Sequence, residues 1–345
     1  MIRFESDYTE GTHPEIIKKL AETNLEQTIG YGEDEYCDNA SKIIKHLCNN
    51  DVDIYFLVGG TQANTTIICS ALRPYQGVIS ADTGHINVHE TGAIEATGHK
   101  ILSIPSLDGK IIASQIEVLC NIHFNDTGRE HAVQPGMVYI SNPTENGTIY
   151  KYSELKKINE VCKKYSLYLF LDGARLGYGL MASENDLTLE NITELCDVFY
   201  IGGTKVGALF GEAVVIKNEN IKKDFRYNIK QHGGMLAKGR LLGIQFETLF
   251  KDNLYFKISL HAIKLANMLR EAFNKAGFDF LYNSPTNQLF PIIEDKILDK
   301  LSKKYTFSYW KRIDENHSAV RFCTSWATKE TDVLALINDI NKTIL

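Results

Sequence analysis

A carboxylate and an amine each follow directly on a strand-like segment near the middle of the chain. Asp172 comes after the apolar run 166–171, and Lys205 comes after the run 197–201 and a Gly-Gly-Thr turn. Continuous apolar runs are typical of parallel strands that are covered on both faces. Because ligands in open α/β sheets bind beyond the carboxyl ends of the strands, we expect both side chains to lie in one crevice.

A lysine that faces a carboxylate in such a crevice indicates pyridoxal 5′-phosphate. This cofactor needs an amine that holds its aldehyde as a Schiff base and an acid partner that keeps its pyridine nitrogen protonated. We predict Lys205 and Asp172 for these two roles. The alternative is a strand-end salt bridge or a pair of solvated loop charges, and either residue alone would favour it. Both residues together, each after an apolar strand and near glycine, favour the cofactor.

A glycine-rich turn further upstream is the candidate site for the cofactor's phosphate. The segment 59–64 reads Gly-Gly-Thr-Gln-Ala-Asn, between a predicted strand at 53–58 and a predicted helix at 65–72. Free backbone N–H groups and the positive end of a helix attract an anion at such a turn. A tight turn also needs glycine for steric reasons alone, so the motif is weak by itself. In a chain that also carries Asp172 and Lys205, it predicts that Gly60, Thr61 and Gln62 bind the phosphate.

Two further polar side chains are placed to reach the same crevice. His85 begins a short helical segment that also holds His89 and Glu90, but the pattern HxxxHE is not the HExxH zinc pattern, and we expect no metal. An imidazole can fix the plane of an aromatic cofactor by stacking, which is the role we predict for His85; a histidine bonded to the backbone at a helix start is the alternative. Glu145 lies in the polar loop 141–147 after a predicted strand at 137–140, and this loop should face the crevice as well.

The elements that must position these residues alternate between strand and helix up to about residue 250. Further strands are predicted at 77–80, 98–105 and 213–216, which gives an α/β fold with a mostly parallel seven-stranded sheet. Apolar positions at helical spacing from 244 to 273 predict a helix that packs against the core. Strands at 288–293, 305–310 and 318–324, with a final helix, predict a small C-terminal α+β lobe. We therefore expect an N-terminal arm (1–15), a large cofactor-binding domain (16–250) and a small domain (251–345).

Composition excludes several classes of partner. The chain has 345 residues, 44% of them hydrophobic and 23% charged, with a net charge of -6 and no dense run of Lys or Arg. This pattern gives no electrostatic footprint for nucleic acid or anionic membrane, so we expect a small-molecule substrate. No run approaches the length of a transmembrane helix, and residues 1–7 lack an apolar leader. The seven cysteines form no CxxC pair, which is typical of free thiols in a reducing cytoplasm.

Read in order, these segments resemble the threonine aldolase family of pyridoxal-phosphate enzymes, within the aspartate aminotransferase-like fold. The segment 171–176, Leu-Asp-Gly-Ala-Arg-Leu, is the most specific match, and Lys205 stands where the family has its Schiff-base lysine. The other matching segments are the arm 4–7 with 11–14, the loop 31–34, the turn 60–64, the pair 85–86 and the strand 321–326.

The resemblance implies roles for several more residues. Ser6, Arg175 and Arg321 would hold the substrate carboxylate, which suits arginine because its planar fork donates two parallel bonds. Arg175 and Thr204 would also border the cofactor. The resemblance further implies a homodimer or homotetramer with shared active sites, in which Tyr31, and Gln231 as a further candidate, reach the site of the neighbouring subunit. The chain departs from the family at Gly59 and around Lys205, and two further departures bear on the substrate: Glu145 replaces a frequent histidine, and Leu236 replaces an arginine.

The activity that the resemblance implies is retro-aldol cleavage of β-hydroxy-α-amino acids, with threonine or allo-threonine giving glycine and acetaldehyde. The proton of the β-hydroxyl would go to His85, to Glu145 or to a water held between them. Three other reactions of the same cofactor remain open, namely β-elimination, racemisation and transamination. A protein that binds the cofactor without catalysis is the alternative of a different class.

Overall fold

The computed structural model describes residues 1–343, which contain a seven-stranded, a four-stranded and a two-stranded sheet. The strands are β1 (Ile2–Arg3), β2 (Asp53–Leu57), β3 (Gln76–Ala81), β4 (Ile101–Ile104), β5 (Gln134–Ser141), β6 (Tyr168–Asp172), β7 (Val198–Gly202), β8 (Glu212–Ile216), β9 (Gln288–Leu289), β10 (Ile292–Glu294), β11 (Tyr305–Thr306), β12 (Ser308–Arg312) and β13 (His317–Cys323). The helices are α1 (Pro14–Glu22), α2 (Glu35–Cys48), α3 (Gly60–Ala71), α4 (His85–Val88), α5 (Ala93–Ala96), α6 (Ala113–Asn125), α7 (Tyr152–Tyr165), α8 (Leu176–Met181), α9 (Leu189–Leu195), α10 (Glu219–Lys222), α11 (Phe225–Gln231), α12 (Arg240–Phe250), α13 (Leu254–Lys275), α14 (Asp295–Leu301) and α15 (Glu330–Thr343).

The central sheet confirms the predicted seven strands, in the order β2-β8-β7-β6-β5-β3-β4. The strands from β7 to β4 run parallel to one another, while β8 is antiparallel to both β7 and β2. Every residue of β7 and β8 is buried, and so is every residue of β6 except the first. The continuous apolar runs in the sequence therefore mark strands that are covered on both faces.

Two apolar layers cover the sheet, one on each face. Alternate residues of a strand point to opposite faces, and β5 shows this directly: Val138 and Ile140 lie in one apolar cluster, and Tyr139 lies in the other. Helix α7 contributes Leu155 to the first cluster, and α3 contributes Ile67 to the second. A helical layer on each side leaves the strand ends as the open edge of the sheet, where a ligand can bind.

The C-terminal region forms the smaller sheets, and the N-terminal arm joins them. Strand β13 pairs with β9, β10 and β12, and β1 pairs in parallel with β11. Phe4 from the arm packs in a third apolar cluster with Leu269 of α13 and Phe322 of β13. The predicted α+β lobe is present, whereas the boundaries 1–15, 16–250 and 251–345 stay a prediction. The last two residues of the predicted small domain, 344 and 345, lie outside the described residues.

Two predicted helices differ from the observed ones. The helix after the glycine-rich turn begins at Gly60, inside the turn, and not at residue 65. The segment 244–273 is not one helix, because α12 ends at Phe250 and a 3₁₀ turn precedes α13. Asp252 and Asn253 in this turn have φ angles of 54° and 58°, a left-handed conformation that interrupts an α-helix although the apolar spacing continues. Within residues 1–343, no helix combines the length and the apolar character needed to cross a membrane.

Candidate active site

The ends of β6 and β7 bring Asp172 and Lys205 to one cavity of about 300 Å³, as the sequence predicted. The two strands are parallel neighbours, with Phe170 opposite Val198. Glycine allows their ends to approach closely. A Cβ atom on Gly173 would lie 1.9 Å from the carbonyl oxygen of Tyr200, which no side chain can tolerate. The glycine next to Asp172 is therefore a requirement of the strand packing at this site.

The carboxylate of Asp172 is buried and held by three donors. Its Oδ2 accepts hydrogen bonds from the Tyr139 hydroxyl (2.6 Å) and from Asn64 Nδ2 (3.3 Å), and its Oδ1 accepts one from the backbone N–H of Ala174 (2.9 Å). Asp172 is 3% exposed. A buried carboxylate with fixed oxygens is suited to pair with a protonated ring nitrogen.

Lys205 lies in the turn after β7, among charges of both signs. Burial lowers the pKa of its amine, the positive charge of Arg175 lowers it further, and the carboxylates of Asp7, Glu212 and Asp172 oppose these effects. A lowered pKa increases the fraction of neutral amine, which is the form that attacks a carbonyl carbon.

Glu212, the first residue of β8, is a buried carboxyl group next to this turn. It accepts hydrogen bonds from Thr204 Oγ1 (3.0 Å) and from the backbone N–H of Gly203 (3.3 Å). Burial raises the pKa of Glu212 to about 8. The hydroxyl of Thr204 also accepts a hydrogen bond from the backbone N–H of Gly211 (3.0 Å), so Thr204 ties the turn that carries Lys205 to the start of β8.

The amino-terminal end of α3 opens onto the cavity. Gly59, Gly60 and Thr61 line it, and the first helical hydrogen bond of α3 runs from Ala63 N–H to the carbonyl of Gly59. This leaves the N–H groups at the helix start available to an anion. The side chain of Gln62 is used elsewhere, since it accepts a hydrogen bond from Val58 N–H (3.0 Å) and donates one to the carbonyl of His232 (3.0 Å). Gln62 does not line the cavity, and with its side chain engaged only its backbone N–H, in the first turn of α3, remains for a phosphate.

His85 and Glu145 line the same cavity and contact each other. The backbone N–H of His85 donates to Glu145 Oε1 (3.0 Å), which also accepts from Ser141 Oγ (2.7 Å). His85 Nδ1 lies 2.7 Å from Glu90 Oε1. Burial raises the pKa of Glu145, and the charge of Asp172 raises it further. Burial by itself would lower the pKa of His85, but the hydrogen bond to Glu90 and the nearby carboxylates outweigh it, so the pKa is raised.

Arg175 lines the cavity, with two of its nitrogens paired to a carboxylate of the N-terminal arm. Its Nε lies 2.7 Å from Asp7 Oδ2, and its Nη2 lies 3.0 Å from Asp7 Oδ1. Asp7 is fully buried, and Asn287 Nδ2 donates to its Oδ2 as well (2.9 Å). In this geometry the Nη1 group of Arg175 remains for another anion.

Ser6 and Arg321 are not among the residues that line this cavity. Arg321 donates from Nη1 to Gln288 Oε1 (3.2 Å) and from Nη2 to the carbonyl of Glu5 (3.1 Å). Its Nε and the hydroxyl of Ser6 are buried without a hydrogen-bond partner among the described residues. Buried donors without partners are rare in folded proteins, and a bound ligand is one common explanation.

Tyr31 lies apart from Lys205 within one chain. It lines a separate cavity of about 100 Å³ with residues of α2, β2 and the segment 234–242, and it is 49% exposed. A single chain therefore does not bring Tyr31 to the predicted site.

Several polar residues of the site were missed in the sequence. Tyr139 in β5 and Asn64 in α3 both contact Asp172. In the sequence, the only sign of these contacts is a polar group within an otherwise apolar segment. Glu212 carries a charge at the start of an otherwise apolar strand, and this is a usable signal. The missed residues are Asp7, Asn64, Glu90, Tyr139 and Glu212, whereas Ser141 belongs to the loop 141–147 that was predicted to face the crevice.

These groups fit pyridoxal phosphate in their chemistry. The cavity places the amine of Lys205 and the carboxylate of Asp172 together, with the start of α3 for a phosphate and the imidazole of His85 for a ring face. The described residues contain no group of His, Cys, Asp and Glu side chains that could hold a metal ion.

Comparison with known proteins agrees with this geometry. The sequence profile of the beta-eliminating lyase family matches residues 3–293. Low-specificity L-threonine aldolases from Pseudomonas aeruginosa and from a Pseudomonas species are 29% and 30% identical to this chain, and each match covers 98% of the chain and 96% of the relative.

Solved structures show the same fold. A threonine aldolase structure from Leishmania major is 44% identical, covers both chains fully and has a TM-score of 0.97. Aspartate aminotransferase from Thermus thermophilus is 12% identical, with a TM-score of 0.71 over 100% of this chain and 92% of its own, and therefore supports the fold alone. The chain belongs to the beta-eliminating lyase family and has the aspartate aminotransferase-like fold.

Proposed function

We propose that this chain is a pyridoxal-phosphate-dependent lyase that cleaves β-hydroxy-α-amino acids, with threonine or allo-threonine giving glycine and acetaldehyde. The observation that carries the proposal is the single cavity in which Asp172, Lys205 and the start of α3 meet. The likeness to threonine aldolases over nearly the whole chain supports the choice of reaction.

Each group of the cavity has a part in this proposal. When bound, pyridoxal phosphate supplies a conjugated ring that accepts the electron pair of the breaking Cα–Cβ bond. Lys205 provides the amine for its aldehyde, Asp172 holds the proton on its ring nitrogen, and His85 packs against its ring. The N–H groups of Gly60, Thr61 and Gln62 bind its phosphate.

Arg175 orients the substrate through the substrate carboxylate. Its Nη1 group is available because Asp7 occupies Nε and Nη2. Ser6 and Arg321 add donors from the arm and from β13, where both have buried polar atoms without partners among residues 1–343. A fixed carboxylate sets the Cα–Cβ bond in the orientation that cleavage requires.

A base takes the proton from the β-hydroxyl group as the Cα–Cβ bond breaks, so that the oxygen becomes the carbonyl of acetaldehyde. His85, Glu145 and a water held between them are the candidates from this cavity. Glu145 gains strength as a base from its raised pKa. A proton added at Cα then completes glycine.

The oligomeric state and the location of the protein are further parts of this proposal. We infer a homodimer or homotetramer in which Tyr31, and Gln231 as a further candidate, complete the site of the neighbouring subunit; the exposure of Tyr31 and its distance from the Lys205 cavity support this. A cytoplasmic location is supported by the seven free cysteines, which suit a reducing compartment.

Product analysis with L-threonine, L-allo-threonine and L-serine side by side tests the reaction. We expect glycine and acetaldehyde from the first two. Ammonia with a keto acid would indicate β-elimination, D-amino acid would indicate racemisation, and a requirement for an added keto acid would indicate transamination. Visible absorbance that does not respond to threonine would indicate binding without catalysis. The Lys205→Ala variant should lose all turnover, while Lys296→Ala, at a lysine side chain that is 86% exposed, should not.

A further inference from the structure

A chain of hydrogen bonds links polar side chains at the cavity and behind it, and Glu90 is the one carboxylate in it without a part in the proposed reaction. From Tyr139 the chain runs through Asp172, Asn64, Glu90, His85 and Glu145 to Ser141. The Glu90 side chain is fully buried. A buried carboxylate is costly unless it makes specific bonds, so its two contacts require an explanation.

The contacts of Asn64 define which group donates to Glu90. Asn64 Nδ2 lies 2.7 Å from Glu90 Oε1 and 3.3 Å from Asp172 Oδ2. Only the NH₂ end of an amide can donate to two carboxylates at once, so Oε1 of Glu90 acts as an acceptor.

The same oxygen lies 2.7 Å from His85 Nδ1. An ionised Glu90 can only accept, so in this contact Nδ1 carries the proton, and the neutral imidazole then has its lone pair on Nε2. Within residues 1–343, Nε2 has no hydrogen-bond partner, and the His85 side chain remains 34% exposed at the cavity. The other oxygen of Glu90 is buried without a partner in the same part of the chain. The hydrogen bonds of the Glu90 side chain are thus directed to His85 and Asn64.

We propose that Glu90 is a positioning residue that holds the proton of His85 on Nδ1 and thereby makes Nε2 the nitrogen that takes the β-hydroxyl proton of the substrate. This inference rests on the proposed cleavage reaction and selects one of its three candidate bases. The proton leaves the hydroxyl oxygen for Nε2, and the electron pair of that O–H bond forms the carbonyl of the aldehyde as the Cα–Cβ bond breaks and its electron pair passes to the glycine part. Glu90 itself touches neither substrate nor cofactor.

Other charged groups also act on His85 and must be considered in any pH dependence. Burial lowers its pKa, and the charge of Lys205 lowers it as well; the Glu90 hydrogen bond and the charges of Asp172 and Glu90 raise it. The groups that face His85 from the surrounding elements are Glu90, Asp172, Glu145, Lys205 and His89.

The tautomer of His85 in the unaltered protein is the direct test. Full-length protein labelled with ¹⁵N in its histidine rings, with and without cofactor, gives long-range ¹H–¹⁵N spectra that distinguish Nδ1–H from Nε2–H. The His85 signals are identified by their loss in His85→Gln. We expect Nδ1–H. A neutral His85 with the proton on Nε2 would overturn the proposal whatever reaction the enzyme catalyses.

Two variants of Glu90 distinguish its role as the hydrogen-bond acceptor for Nδ1 from the effect of its negative charge. In Glu90→Gln the amide oxygen can still accept from Nδ1, so the tautomer should persist while the pKa of His85 falls. The acid limb of log kcat/KM against pH should then move to lower pH, because His85 acts in its neutral form. In Glu90→Met the acceptor is lost, and we expect a mixed tautomer and a drop in kcat on the order of 10²-fold.

Asp314→Asn is the matched control, because Asp314 pairs with His317 Nδ1 at 3.0 Å on the exposed turn before β13. It should change neither the pH profile nor the His85 signals. A Glu90→Met enzyme that folds and keeps its full kcat and an unchanged acid limb would also overturn the proposal. The spectra do not depend on turnover, so failure of the proposed cleavage reaction and failure of the Glu90 role are distinguishable.

Discussion

Asp7 illustrates at the residue scale how a buried carboxylate can orient a group that binds substrate. Burial by itself would raise the pKa of Asp7, but the charge and hydrogen bonds of Arg175 outweigh it and lower the pKa to about 2. An aspartate in an unfolded chain titrates near 3.8. The lowered pKa stabilises the folded state at pH values above about 4 by about 2 kcal/mol, and this contribution is lost as the pH falls towards about 2.

Asp7→Asn should therefore destabilise the fold and weaken substrate binding together. Removal of one partner from a buried ion pair costs about 3–5 kcal/mol, because Arg175 is left unpaired. KM for threonine should rise, since Nε and Nη2 of Arg175 are no longer held by Asp7. Urea unfolding at several pH values measures the stability, and the difference from the unaltered protein should decrease as the pH falls from about 4 towards about 2. Equal stability at pH 7 would contradict this account; Asp51→Asn, at an exposed position, is the control.

Residues of the site could be predicted from the sequence where a local pattern, such as an apolar strand before a charged residue, identifies them. Asp172 and Lys205 each follow a buried strand, so the strand pattern alone places them at one edge of the sheet. The pairing of Asp7 with Arg175 joins positions 168 residues apart, and no local pattern encodes it. The sequence therefore indicated Arg175 as a ligand for a substrate carboxylate but not the carboxylate that orients it.

At the scale of elements, the approach of β6 and β7 determines where Asp172 and Lys205 meet. A Cβ on Gly173 would collide with the Tyr200 carbonyl at 1.9 Å, and a Cβ on Gly202 would lie 2.3 Å from the Ala174 carbonyl. Backbone atoms cannot move aside as the end of a flexible side chain can. The ends of β6 and β7 would therefore have to move apart to accommodate either Cβ atom. These two glycines were visible in the sequence, but their steric reason was not.

Gly173→Ala should lower both stability and cofactor retention. We expect a loss of about 1–3 kcal/mol in the free energy of unfolding, as overpacking typically costs, and a smaller visible absorbance per chain because Asp172 moves with the strand end. Gly11→Ala is the control, since a Cβ there meets nothing within 4 Å. If Gly173→Ala kept the stability and absorbance of Gly11→Ala, the close approach would not be what positions the site.

The predicted helix 244–273 shows where a pattern of apolar spacing fails to predict an element. The apolar spacing across 244–273 predicted continuous helix, because residues on both sides of the break, such as Phe246 and Ile258, pack in the same apolar cluster. Asp252 and Asn253 adopt left-handed conformations that aspartate and asparagine tolerate better than most residues do, which the spacing does not reveal.

At the scale of the whole molecule, three separate parts of the chain meet at the site. The arm contributes Asp7, the turn between β6 and α8 contributes Arg175, and the C-terminal region contributes Asn287, which donates to Asp7 at 2.9 Å. The parallel pairing of β1 with β11 anchors the arm to the C-terminal lobe. The mixed strands and helices after residue 250 predicted the lobe, but no local pattern encodes the pairing of Ile2 with Tyr305.

Shared sites between subunits predict recovery of activity when two inactive variants are mixed. Tyr31→Ala and Lys205→Ala subunits, unfolded together and refolded with pyridoxal phosphate, should form hybrids in which one site has Lys205 from one subunit and Tyr31 from the other. Such mixtures should turn over threonine faster than the summed activity of the two variants refolded separately. Activity that only equals the sum would contradict a site completed by a neighbouring subunit.

The central claim is that the cavity at the ends of β6 and β7 binds pyridoxal phosphate covalently through Lys205. Reduction of the cofactor-loaded protein with borohydride, followed by proteolysis and mass spectrometry, tests this most directly. We expect one modified peptide, with the reduced cofactor on Lys205, and no modification in Lys205→Ala. A reduced cofactor on any other lysine, or covalent labelling that persists in Lys205→Ala, would contradict the account.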